Sequence, residues 1–471
     1  MTNGCSGRPK ATILPGSMTT AEIAAARPEP LPAPGADRIA DARARMEATG
    51  QWHDRQNMGR RWGIGCVALE ITQRCNLDCT LCYLSDHSEA VKDIPLEEVF
   101  RRIDAIRAHY GPDTDIQITG GDPTLRDRAE LVAIVRYARA AGLSPSLFTN
   151  GIRATRDMLE ELAANGLVDV AFHVDMTQER KGYPDEASLN AVRREYIDRA
   201  RGLPISVFFN TTVYDGNFAQ IPGVAEFFVQ HADVVRLASF QLQADTGRGT
   251  VRARQQPITI DTVAGQLRAG ARAPINFDTP IAGHDECNRY ALTVVADGHV
   301  HDLMDDPKVL ATAFEVMHDA KFDRRHRAKT VATLIGRYLA RPRALARTLP
   351  WAARKLLGMS GDLWRAGGRA NKLTFFLHNF MDAENLCRQR IGACVFMVQT
   401  AEGPISMCLH NAKRDSFILQ PLRVGAGEAA QWWDPLSGGL RDKAEETSAP
   451  TLTKKTARGR RRLEINHGAS R

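Results

Sequence analysis

The stretch Arg74-Cys75-Asn76-Leu77-Asp78-Cys79-Thr80-Leu81-Cys82-Tyr83 places three thiols within eight positions. Three thiolates this close can bind three irons of one cubane cluster, leaving the fourth iron without a protein ligand. A full Cys₄ set closes an iron–sulfur cluster and suits it to electron transfer. A set of three leaves a position at which a small molecule can bind the metal and react. Structural zinc is the alternative reading. Zinc knuckles and ribbons pair two CxxC units or add His to reach four ligands; the nearest candidate here is His87, and a CxxxCxxC…H site would be unusual.

Outward from this stretch the chain reads as alternating strand and helix. Residues 67–72 are an apolar run leading straight into the cysteines. About 35 residues beyond them, Ile116-Gln117-Ile118-Thr119 reads as a strand ending in Gly120-Gly121-Asp122-Pro123. Further strands are expected at 144–149, 168–174, 205–213 and 234–241, with amphipathic helices at 96–109, 128–141, 155–165, 189–200 and 218–230. Six strand–helix units argue for an α/β fold with a parallel sheet and right-handed crossovers. Six units make a partial (β/α)₆ TIM-type barrel, unlike the closed eight-fold one. Ligands of parallel α/β sheets sit at the carboxyl ends of strands, where the cysteine loop and Gly-Gly-Asp-Pro both fall.

Cys75, Cys79 and Cys82, followed on the next strand end by Gly120-Gly121-Asp122-Pro123, resemble the CxxxCxxC and GGEP motifs of the radical S-adenosylmethionine (radical SAM) enzymes, with Asp in place of Glu. The resemblance implies a (β/α)₆ partial barrel. It also implies a [4Fe–4S] cluster on the three cysteines, with S-adenosylmethionine chelating the free iron through its amino and carboxylate groups. One electron, from a donor such as flavodoxin or ferredoxin, would cleave the sulfonium to a 5′-deoxyadenosyl radical that takes hydrogen from an unactivated C–H. Gly120, Gly121 and Asp122 would present backbone groups and a carboxylate to the methionine ammonium, and Leu81 would lie near the adenine. Thr149 and Asn150, ending the third strand, are candidates for ribose or carboxylate, although Asn150-Gly151 is also a good turn. His173 and Asp175 alternate with Val174 and so share one face of the fourth strand; with Asn210 on the fifth they are expected to meet ribose or substrate.

Cys287, Cys387, Cys394 and Cys408 form a second set, near two expected hairpins at 289–303 and 394–409. This arrangement resembles the auxiliary-cluster regions (SPASM or twitch type) appended to many radical SAM enzymes, and implies an auxiliary [4Fe–4S] cluster; zinc is the alternative. The spacing departs from the compact SPASM pattern, because a hundred residues separate Cys287 from Cys387. Cys66 reads as a small core residue, and Cys5 lies in the N-terminal arm. The expected organisation is an N-terminal arm over 1–58, a core barrel over 59–280, a C-terminal α+β auxiliary-cluster domain from 281–304 and 373–425, a basic amphipathic helical insertion over 305–372, and a basic tail over 426–471.

With 43% hydrophobic and 25% charged residues the chain is globular. No apolar run reaches the roughly 18 residues of a membrane span, and nine cysteines clustered in this way fit a reducing cytoplasm. The net charge of +7 is unevenly spread: thirteen Lys/Arg face two Asp between Lys321 and Ala370, and residues 454–462 are basic again. In the insertion Val331, Leu334, Ile335, Tyr338 and Leu339 recur at helical spacing among arginines. Pro342 interrupts, and Leu345, Leu349, Trp351, Leu356 and Leu357 follow. That pattern reads either as a helix on the inner, anionic face of a membrane through 331–357 or as a helix packed on the barrel. The stretches 378–383 and 410–415 resemble the radical SAM branch that contains the tetraether lipid synthases, which implies a lipid or other hydrophobic substrate. A peptide-modifying maturase is the runner-up, against which the short Pro-rich arm counts. A non-catalytic iron–sulfur or zinc protein binding nucleic acid is the third reading. Its basic runs lack interleaved aromatics for base stacking.

Overall fold

The computed structural model describes residues 16–445 apart from 32, 34, 53–55, 57–62, 250–253, 279–280, 319, 321–326 and 426–429. Cys5 and the basic stretch 454–462 therefore lie outside the described residues. Two helices lead in, α1 (Thr20–Ala25), opened by a Thr19/Glu22 capping box, and α2 (Arg38–Ala48). Six strand–helix units follow: β1 (Cys66–Thr72), α3 (Leu96–Tyr110), β2 (Asp115–Gly120), α4 (Arg128–Ala140), β3 (Ser144–Thr149), α5 (Arg156–Ala164), β4 (Asp169–His173), α6 (Asn190–Ala200), β5 (Ser206–Val213), α7 (Ile221–Gln230), β6 (Val235–Leu242) and α8 (Ile260–Ala271).

Alternation along each strand divides its side chains between two faces. Val67, Leu69 and Ile71 of β1, with Ile116 and Ile118 of β2, face outward into one core with Val99, Ile103 and Ile106 of α3. Inward, the small residues Ala68, Ser146, Ala171 and Ser239 alternate with larger ones such as Phe148 and Phe208 around the barrel interior. A TIM barrel is normally plugged by bulky branched side chains at these positions. Here small residues leave the barrel hollow.

The rest of the chain comprises β7 (Asn288–Ala296), β8 (His299–Asp302), α9 (Pro307–Met317), α10 (Arg327–Leu339), α11 (Pro342–Arg365), β9 (Asn371–Asn379), α12 (Arg388–Gly392), β10 (Phe396–Gln399), β11 (Pro404–Ser406), α13 (Met407–Ala412), α14 (Asp415–Ile418), β12 (Leu422–Val424), β13 (Gln431–Trp433) and β14 (Leu440–Arg441). The two hairpins prolong the barrel sheet at both edges. The order is β11-β10-β1-β2-β3-β4-β5-β6-β9-β7-β8, with β10 parallel to β1 and β9 parallel to β6. The β9 and β10 edges meet through side chains: Phe376 and His378 lie 5.9 and 4.7 Å from the Phe396 ring.

Three further features differ from expectation. The second hairpin is shorter than 394–409, because the chain turns into α13 at Met407. Residues 431–441, expected in the tail, add β13 and β14 to β12 as a small antiparallel sheet. The insertion does form helices, and Pro342 opens α11 at a position where its missing N–H leaves nothing unsatisfied. No described helix is long and apolar enough to cross a membrane.

Candidate active site

The cysteine loop leaves β1 at Thr72 and is pinned against the end of β2. Gly121 N–H donates to the Thr72 carbonyl (2.9 Å) and Asp122 N–H to the Arg74 carbonyl (2.7 Å). A Cβ on Gly120 would lie 1.9 Å from the Thr72 oxygen, and one on Gly121 2.0 Å from the Arg74 oxygen. These glycines are thus required first by the crossing of two backbones. Tyr83 Oη donates to the Gly120 carbonyl (2.6 Å), and Asn150 Nδ2 to Asn76 Oδ1 (2.7 Å). The loop after β6 closes the other side. Gly247 (φ +56°) and Gly249 let it approach Tyr83 and Cys82, and Arg248 between them is buried. The Arg248 guanidinium reaches Glu89 (3.1 Å) and the Leu77 carbonyl (3.3 Å) and sits beside the Cys82 thiol.

Burial pushes the Cys75 thiol up to about 11 and Cys79 well above the ordinary thiol range. Neighbouring thiols add to the shift, and Arg248 opposes it. A metal centre that takes the thiolates would remove the protons burial retains, with Arg248 offsetting the resulting charge. Among the described residues, the set of three ligand atoms lying within 4.8 Å of one another is Asp297, His299 and Asp362, not the thiols. Arg365 bridges Asp297 and Asp362, which makes that group an ion-paired brace.

The other expected residues divide. Asp122 does not face the cavity. Its carboxylate is fully buried and accepts from Thr124 N–H (3.0 Å), Thr124 Oγ1 (2.5 Å), Thr149 Oγ1 (2.8 Å) and Asn150 N–H (2.8 Å). In this arrangement both carboxylate oxygens are taken by these donors. The shorter Asp ties the ends of β2 and β3 together, and Thr149 spends its hydroxyl on it. Asn150 forms the expected turn, accepting from Ile152 N–H (3.0 Å), and tethers the cysteine loop. Asp175 is likewise fully buried, accepting from Thr177 and from Thr212 N–H (2.7 Å). It is not itself at the cavity; it holds His173, whose Nε2 lies 2.6 Å from Asp175 Oδ2. His173, Asn210, Leu81, Thr149 and Asn150 all line the cavity. Burial alone would push the His173 imidazole down, but the Asp175 carboxylate outweighs it and raises the proton affinity above the usual value.

That cavity measures about 2120 Å³, against the roughly 300–1,000 Å³ of ordinary small-molecule sites. It runs from Cys75, Cys79 and Cys82 through the hollow barrel to the amino ends of the strands, with room for a cofactor and a large substrate together.

Cys287, Cys394 and Cys408 sense one another electrostatically, and Cys387 shares an apolar cluster with Cys408. Arg390 Nε donates to Cys287 Sγ (3.1 Å) and sits near Cys408. Burial pushes Cys408 up to about 12, with Cys394 adding to it. His378, stacked on Phe380 at 3.9 Å, lines the cavity; burial and Arg390 drive its imidazole down to about 3, so it is neutral. Cys66 is a buried residue at the start of β1.

The profile of the Radical SAM superfamily matches residues 69–227. The chain carries a radical SAM domain. Such a domain implies a [4Fe–4S] cluster and S-adenosylmethionine. The radical SAM relatives include the 7,8-dihydro-6-hydroxymethylpterin dimethyltransferase of Methanocaldococcus jannaschii, 28% identical over 186 residues (38% of this chain, 36% of that protein). They also include the PqqA peptide cyclase of Xanthomonas axonopodis pv. citri, 29% identical over 235 residues (45% and 59%). The chain thus spans between about a third and three fifths of the curated relatives it matches. Among solved structures, Streptococcus suis SuiB bound to precursor peptide SuiA is similar with TM-score 0.30 and 15% identity, over 38% of this chain and 40% of that one.

Sequence reasoning missed the two buried arginines beside the radical SAM domain's thiols and the second cysteine set. The signals were present: Gly247-Arg248-Gly249 on the loop after β6, and Arg390 between Cys387 and Cys394. It also missed Glu70, Arg414 and His378.

Proposed function

We propose that Cys75, Cys79 and Cys82 hold a [4Fe–4S] cluster that binds S-adenosylmethionine at the carboxyl-end mouth of the barrel. The chain then acts as a radical SAM enzyme on a C–H bond of a hydrophobic substrate. The observation that carries this is the three-thiol loop, clamped between Gly120-Gly121 and buried Arg248, opening on the hollow barrel. When bound, cluster and cofactor supply a 5′-deoxyadenosyl radical, with the electron coming from a donor such as flavodoxin or ferredoxin.

The chain's own residues position and protect. Gly120 and Gly121 keep the β2 end flat against the loop. Leu81, Thr149, Asn150 and Asn210 shape the cofactor side of the cavity, and His173, held by Asp175, offers its imidazole to ribose or substrate. Cys287, Cys387, Cys394 and Cys408 are assigned to an auxiliary [4Fe–4S] cluster, with Arg390 as its charge partner. His378, Phe380 and Phe396 line the cavity.

The aromatic and aliphatic interior, with Phe148, Phe208, Tyr290, Leu292 and Phe376, supports a lipid or other hydrophobic substrate. The names of the PqqA cyclase relatives favour a second reading, a peptide substrate. The test is anaerobic reconstitution with iron and sulfide, then reduction with S-adenosylmethionine. Wild type should yield 5′-deoxyadenosine and Cys79→Ala none. Product from Cys79→Ala would remove the assignment.

A further inference from the structure

Of the eleven large hydrophobic side chains exposed among the described residues, seven lie on α10 and α11: Val331, Ile335, Leu339, Leu349, Leu356, Leu357 and Trp364. They are not scattered. Val331, Ile335 and Leu339 follow one another at four-residue steps, and Leu349, Leu356 and Leu357 continue to Trp364 at helical spacing along α11. Leu357 is 74% and Trp364 85% exposed, far beyond the isolated surface leucine that needs no explanation.

The opposite side of the pair is fastened down, so the outward face is held rather than loose. Trp351 Nε1 donates to Asp305 (2.9 Å), Lys355 pairs with the same carboxylate (2.8 Å), Arg347 reaches Thr312 Oγ1 (3.3 Å), and Met359 is buried. The surroundings are predominantly basic, with Arg354 and Lys355 paired to Asp305 and Arg365 to Asp297 and Asp362. From Arg327 to Ala370 ten Lys/Arg stand against the single acid Asp362, and Arg341 and Arg343 are exposed at the junction of the two helices. An apolar face bordered by arginines and ending in Trp is complementary to an anionic bilayer surface, where apolar burial and charge attraction add.

The same helices frame a second mouth of the cavity. At the amino ends of the strands, Asp115, Ser144 and Ser206 line it, and Phe314, Met317 and Leu334 of α9 and α10 complete the rim. Val331 belongs to both the cavity lining and the exposed face. We propose that α10 and α11 seat the protein on an anionic phospholipid bilayer, and that this second mouth admits a long acyl chain from the membrane into the barrel. The acyl half rests on the hydrophobic-substrate reading above; the docking half does not.

Reconstituted full-length protein should co-sediment with vesicles of phosphatidylglycerol and phosphatidylcholine, and more weakly with phosphatidylcholine alone. Leu357→Glu/Trp364→Glu should lower the apparent affinity at least about ten-fold while leaving vesicle-free 5′-deoxyadenosine formation unchanged. Arg341→Glu/Arg343→Glu should remove the preference for anionic vesicles. Equal sedimentation of wild type and the Leu357/Trp364 variant overturns the docking. So does a wild-type dimer in light scattering that this variant dissociates, since the face would then cover a second copy. For the mouth, the probe is cis-parinaric acid. Saturable binding should survive Leu357→Glu/Trp364→Glu and be lost in Leu334→Trp with unchanged circular dichroism. No saturable binding, or binding untouched by Leu334→Trp, overturns the entrance. A wild type that makes no 5′-deoxyadenosine but still binds vesicles and probe removes the reading of the three-thiol site and leaves this one standing.

Discussion

Glu70 and Arg414, 344 positions apart, meet inside the protein, with Arg414 Nη1 donating to Glu70 Oε1 and Oε2 at 2.6 and 2.7 Å. Arg414 also donates to the Tyr83 carbonyl (3.0 Å) and lies 4.7 Å over the Tyr83 ring. The junction of α13 and α14 is thereby clamped to the strand that feeds the cysteine loop. Both side chains are almost solvent-free, so removing one strands the other's charge. Arg414→Met should cost about 3 to 5 kcal/mol in urea unfolding, and Glu70→Gln/Arg414→Met less than the sum of its single changes. Burial would raise Glu70, but Arg414 and His410 hold it down at about 2, against an ordinary 4.5. Its contribution is complete above about pH 4.5 and lost as pH falls toward 2. The acid limb of the stability curve should be shallower in the double variant.

His173 gives the opposite sign. Its proton affinity is raised in the folded protein, so its contribution is complete below the ordinary value of about 6.5 and disappears as pH rises through the raised one. Asp175→Asn removes the carboxylate that outweighs the burial pushing the imidazole down. The stability advantage of wild type over Asp175→Asn should be larger at about pH 6 than at about pH 9. An NMR titration of the His173 ring should show its midpoint moving down in the variant. An unmoved midpoint would mean that Asp175 only braces Thr177 and Thr212.

The barrel was readable because its information is local. In β1 to β6 the outward alternates (Leu69, Ile118, Leu147, Val170) are mostly apolar, and each helix repeats that signal at its own period. The loop chemistry was readable for the same reason, since Cys75, Cys79 and Cys82 are near neighbours in sequence. What escaped depends on long-range pairing. β9 is buried on both faces, so Leu373–Leu377 lacks alternation. Nothing within the chain around Phe396 says that it will lie parallel to β1. The tie of Asp122 to Thr149 and Asn150 escaped for the same reason, because those partners arrive from another strand.

Arg248 is a cation buried against the first thiol set by a loop from β6, and that position predicts a redox effect. A positive charge beside an iron–sulfur cluster favours the more negative, reduced state. Arg248→Met should therefore lower the midpoint potential, on the order of 50 to 100 mV for a charge a few ångströms away in a partly screened interior. Electron paramagnetic resonance during a redox titration measures it. Arg248→Lys should recover most of the shift. A potential unchanged in Arg248→Met would reduce the residue to a strut between Glu89 and Leu77.

Arg390 and Cys287 repeat that arrangement at the second set, which allows the two sites to be counted apart. Two cubanes correspond to about eight irons per chain. Cys79→Ala should keep about four and lose 5′-deoxyadenosine formation. Cys408→Ala should also keep about four but retain S-adenosylmethionine cleavage in the absence of substrate, because Cys75, Cys79 and Cys82 line the cavity and Cys408 does not. Cys387 is the discriminating member. It lies in the apolar cluster with Cys408, and its backbone N–H points at the Met381 sulfur (3.1 Å). If all four cysteines ligate, Cys387→Ser should behave as Cys408→Ala does. If Cys387 is a packing residue only, the variant should keep about eight irons and lose only thermal stability. Iron analysis and the spectra of the two variants side by side decide between a closed cluster, fit for passing electrons, and an open one that can take a ligand.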